Sequence, residues 1–77
     1  MAPVEQWCRV RLLDADGAEL ACCVLEGLGA PDLSVVDDVA RMALLGRRLG
    51  GGIVLGNVSP ALRALLELAG LGVQMER

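Results

Sequence analysis

The chain has 77 residues and a mass of 8.0 kDa, enough for one small domain, and it is 55% hydrophobic with Trp7 as its sole aromatic side chain, so its core has to be aliphatic. It contains no His and no Lys and carries a net charge of −3, which removes imidazole acid–base pairs, imidazole zinc sites and lysine Schiff bases, and leaves no basic run for a nucleic acid. No apolar stretch approaches the ~20 residues of a membrane span and the N-terminus carries no basic segment, so the expectation is a single cytoplasmic, non-enzymatic domain over residues 1–77, without cofactor or metal.

Residues 7–13 (WCRVRLL) and 19–25 (ELACCVL) read as two strands around Asp14-Ala15-Asp16-Gly17, a tetrad suited to a three-residue hairpin loop with a left-handed glycine. That loop sets Leu12 opposite Leu20, Val10 opposite Cys22 and Cys8 opposite Val24, all on one apolar side. Trp7, Arg9, Arg11, Leu13, Glu19, Ala21, Cys23 and Leu25 then fall on the other side. The three cysteines, Cys8, Cys22 and Cys23, are odd in number and lack metal-ligand spacing, so they read as small buried hydrophobes in a reducing compartment.

Residues 26–32 form a turn-rich connector. A helix opens at Asp32 or Ser34 and runs to about Leu49, with Val35, Val36, Val39, Met42 and Ala43 on its inner face and Ser34, Asp37, Asp38, Arg41 and Arg48 opposite. Ser34 with Asp37 resembles a capping box, and the acidic residues suit the positive end of the helix dipole. Together with Glu26, these carboxylates lack the alternating loop pattern of a calcium site and read as a solvated helix start.

Gly50-Gly51-Gly52 leave that helix and release a short aliphatic strand, Ile53-Val54-Leu55, buried on both sides. A phosphate cradle runs the other way, from strand into helix. Ser59 caps a second helix with Pro60 at its first position, Leu62, Leu65, Leu66 and Ala69 face inward, and Gly70-Leu71 end it. Residues 72–77 either add a short edge strand or fray. The expected fold is α/β: a small mixed sheet, made of the hairpin and a central strand, with both helices packed on one face.

From Asp32 to Leu71 this order resembles the STAS family, the domains of sulfate transporters and anti-sigma-factor antagonists, and the chain looks like a short stand-alone bacterial member. The likeness is carried by the helix opened by Asp32-Leu33-Ser34, Gly50-Gly51 ahead of Ile53-Val54-Leu55, Ser59-Pro60 and Gly70-Leu71. In anti-sigma-factor antagonists the corresponding loop carries an Asp-Ser-Ser-Gly-like motif whose first serine a partner kinase phosphorylates. By that likeness Asp32 stands for the aspartate, Leu33 for the phosphoacceptor, Ser34 for the second serine and Val35 for the glycine. A leucine accepts no phosphate. The resemblance therefore implies either that Ser34 is the phosphorylation site instead or that the switch is lost, and loss is preferred. Ser34 has an ordinary role too, as a helix cap.

The resemblance implies a protein partner, such as an anti-sigma factor or a related regulator of transcription, met through Asp32, Leu33, Ser34, Asp37 and Arg41. A second reading comes from the apolar surplus. Trp7, Leu13, Leu25, Leu44, Leu45 and Leu68 lie off the inner stripes, and several adjoining would form an interface patch with Trp7 and Arg9 as anchors. The chain would then be a structural or accessory subunit, transporter-associated or a homodimer, binding through the hairpin's outer face at Trp7, Arg9, Leu13 and Leu25.

Overall fold

The computed structural model describes residues 3–76. The elements run β1 (Val4–Leu13), β2 (Glu19–Leu28), α1 (Leu33–Arg48), β3 (Gly52–Gly56), α2 (Pro60–Leu68) and β4 (Gln74–Met75). They build one four-stranded mixed sheet in the order β2-β1-β3-β4, with β1 antiparallel to both neighbours and β4 parallel to β3. The molecule is elongated, 42 × 22 × 22 Å.

Both helices lie on one face of the sheet, as expected. In the β1–β3 register Val10 opposes Leu55 and Leu12 opposes Ile53, so alternation turns Cys8, Val10, Ile53 and Leu55 to the same side. They form one core with Val35, Val36 and Val39 of α1 and Leu62 and Leu66 of α2. Met42, Ala43 and Leu65 pack against it half-buried, while Ala69 is exposed rather than inward. Each fully buried aliphatic side chain contributes ~1.5–3 kcal/mol of transfer free energy, and burial of this kind has to stabilise a domain with no buried aromatic ring.

The helix ends follow from local chemistry. Gly50 and Gly70 have φ of 82° and 71°, left-handed values open to glycine, and each ends its helix in the same two-bond pattern. After α1 the amides of Gly50 and Gly51 donate to Arg47 O and Gly46 O; after α2 those of Gly70 and Leu71 donate to Glu67 O and Leu66 O. Ser59 Oγ accepts from Leu62 N at 3.2 Å, with Pro60 entering the first turn. The first helix is different. Asp32, not Ser34, is the cap: its backbone is extended and its carboxylate accepts from Ser34 N at 3.0 Å. Asp37 and Asp38 consequently sit in the second turn, beyond the first-turn amides that an anion would complement.

The hairpin departs most from expectation. Its loop is as read, with Asp14 N donating to Ala18 O, Gly17 N to Asp14 O, and Asp14 Oδ1 accepting from the amides of Asp16 and Ala18. Leu13 faces Glu19 in the register that loop sets. An extra residue at Leu20 then shifts the pairing by one, so Leu12 meets Ala21, Val10 meets Cys23 and Cys8 meets Leu25. A second bulge at Trp7 on β1 restores the first register, giving Gln6–Glu26 and Val4–Leu28. Between the two bulges Ala21, Cys23 and Leu25 turn to the helix side, and Cys22 and Val24 turn away. Residues 20–25 are all apolar, so alternation carries no phase there and the register is set by packing instead. The strands also reach further than 7–13 and 19–25, and the supposed connector at Glu26, Gly27 and Leu28 is strand.

Candidate functional site

Pro31 is buried and Asp32 is exposed, so the chain emerges from the core one residue before α1 begins. Val35, Val36 and Val39 anchor the helix from below. At about 100° per residue this leaves Leu33, Ser34, Asp37 and Arg41 on the outward arc. All four are exposed, as is Asp32, so the five residues implied by the family likeness share one accessible surface. Leu33 is 64% exposed, high for a leucine at the first position of a helix with an apolar core beneath it.

The polar groups here occupy one another. The Ser34 hydroxyl and amide both donate to Asp32 Oδ1, and together they hold the Asp32 carboxyl below its ordinary range, the hydroxyl being the larger influence. Asp37 Oδ2 and Arg41 Nη2 form an i,i+4 ion pair at 3.0 Å, well exposed to solvent and so worth little to stability. Leu44 lies eleven residues from Leu33, almost in line with it on the wheel, and is 49% exposed. This arc of α1 therefore carries a second exposed leucine beyond the five residues implied by the family likeness. Its signal was present as a leucine on an otherwise charged arc.

The hairpin residues named as an alternative surface do not form one. Trp7 and Leu25 are half-buried against the core rather than on the outer face. The Trp7 indole N–H donates to Gly29 O at 3.0 Å, and its ring occupies the space where a Cβ on Gly27 would stand. The Leu20 bulge is what brings Leu25 inward. Arg9 remains outside, but its guanidinium is engaged: Nη2 lies 3.0 Å from Glu76 Oε2, and Arg11 Nη1 lies 2.8 Å from Glu76 Oε1. Arg11 also reaches Glu19 at 2.7 Å. The two arginines, Arg11 first, hold the Glu76 carboxyl below its usual range. Leu13 is half-buried at the loop end of β1, on the same side as Arg11 by alternation.

The cysteines divide. Cys8 is fully buried, and burial, helped by the neighbouring Cys23, pushes its thiol up to about 11, which leaves it inert at neutral pH. Cys22 and Cys23 are exposed on β2, contrary to the expectation that all three are core residues. Cys23 belongs to an open apolar groove of about 170 Å³ between β2 and α1, with Val10, Leu12, Ala21, Met42 and Leu45. Among the described residues no polar or charged side chain is buried, no cluster of three potential metal ligands occurs, and no helix is long and apolar enough to cross a membrane. No protein-family model, curated protein or solved structure matches the chain.

Proposed function

We propose that this chain is a non-enzymatic, cytoplasmic interaction module of the STAS type, akin to an anti-sigma-factor antagonist, which docks to a regulatory protein through the start of α1. The observation that carries this reading is Leu33. It stands at the first position of α1, largely exposed, between the Asp32–Ser34 hydrogen bonds and the Asp37–Arg41 pair. An apolar side chain ringed by self-satisfied polar groups suits an anchor in a protein interface, where the centre is desolvated and the rim stays polar. Charge chemistry at the same place argues against a phospho-switch. Phosphate on Ser34 would replace its hydroxyl donor with a dianion beside the Asp32 carboxylate. Binding is therefore constitutive in this reading.

The test is calorimetric titration of the purified protein with the anti-sigma factors encoded in the same genome. Wild type is expected to bind one of them, and Leu33→Glu is expected to abolish that binding while the circular dichroism spectrum stays unchanged. Binding that survives Leu33→Glu would exclude the start of α1 as the interface and overturn this reading. Binding to none of these proteins would end the anti-sigma assignment.

A further inference from the structure

The two edges of the sheet are built differently. One is β4, two residues long; the other is β2, ten residues long. A long edge strand presents a row of unpaired backbone N–H and C=O groups, and monomeric proteins protect such edges with proline, lysine or inward charge. Within Glu19–Leu28 there is no Pro, Lys or Arg, and residues 20–25 are apolar throughout. Leu20 is 52% and Val24 44% exposed, and Ala21, Cys22 and Cys23 are exposed as well. The Leu20 bulge lies near one end and leaves the rest of β2 free to pair. Among the described residues no strand pairs with the outer edge of β2, and α1 packs mainly on β3 and β1.

We propose that β2 pairs antiparallel with β2 of a second copy about a two-fold axis near Cys23, joining two four-stranded sheets into one. The charge pattern favours a second copy over an arbitrary strand. A two-fold axis through an antiparallel pair sets each residue opposite one whose number has the same parity. About Cys23 the only charged residues of β2, Glu19 and Glu26, fall opposite Gly27 and Leu20 of the second copy, so no carboxylate faces another. About Cys23, Cys22 meets Val24 of the second copy on the outer face. On the helix side Ala21 meets Leu25 of the second copy, which extends apolar contact along the floor of the groove that Ala21 and Cys23 line. This inference is independent of the reading of α1.

The test is light scattering of the protein in excess reductant from micromolar to millimolar concentration, which removes any contribution from disulfides of Cys22 and Cys23. The mass should rise from 8.0 kDa toward twice that value. Val24→Lys and Cys22→Lys, both at exposed edge positions, should each weaken self-association by about tenfold or more. Leu68→Lys, at an 83% exposed position on α2, should leave it unchanged. A wild-type monomer at every concentration would overturn the proposal. So would a dimer that survives both β2 variants, or one that Leu68→Lys abolishes.

Discussion

The strands β3 and β2 have similar apolar content and opposite fates. Ile53, Val54 and Leu55 are all buried, whereas most of the run from Leu20 to Leu25 is exposed. The difference is position relative to α1. A helix about 10 Å across spans two strands ~4.8 Å apart, and α1 is spent on β3 and β1. In a domain this small, hydrophobic composition therefore decides which segments can be core, and the number of helices decides which of them are. What remains apolar and bare stays on the surface.

Substitutions separate the two halves. Leu55→Ala, deep under both helices, should cost ~2–5 kcal/mol in a urea titration, enough to unfold much of a domain of this size. Gly27→Val should cost ~1–3 kcal/mol, because the new side chain must displace the Trp7 ring. Ser59→Ala removes the cap on α2 and should lower stability by ~1 kcal/mol, read as a shift in midpoint without a change in slope.

Glu76→Gln tests the outer face through pH. The folded carboxyl lies below its ordinary 4.5, so the stability it contributes is complete above that pH and is lost as pH falls through the depressed folded value. The variant should flatten that acid limb relative to wild type. Cys23→Ala on the bare strand should change stability by no more than ~0.5 kcal/mol in dilute solution. A loss comparable to that of Leu55→Ala would erase the distinction between the two strands.

Much of the fold was legible because several local signals agreed. The valines of α1 repeat at helical spacing, Ser59-Pro60 opens α2, and Asp14 to Gly17 folds the hairpin as their types require. Legibility failed where a signal was degenerate. Six consecutive apolar residues in β2 gave no phase, so two bulges went unseen and Leu25, Ala21 and Cys23 were assigned to the wrong face. Gly27 was the one clue to Trp7, since a glycine inside a strand marks a bulge or a close approach. Asp32 and Ser34 are both good caps two residues apart, and the choice turned on the extended backbone that follows buried Pro31. Glu76 lies outside any periodic segment, and its bond to both arginines comes from the pairing of β4 with β3.

Amide hydrogen exchange at low and high protein concentration measures the bare edge most directly. At low concentration the amides of Ile53, Val54 and Leu55 should be strongly protected, while the β2 amides that point away from β1 exchange freely. At high concentration those β2 amides should become protected as the edge is paired. Full protection of every β2 amide in the dilute protein would contradict the account, because it would mean the edge is already covered within a single chain.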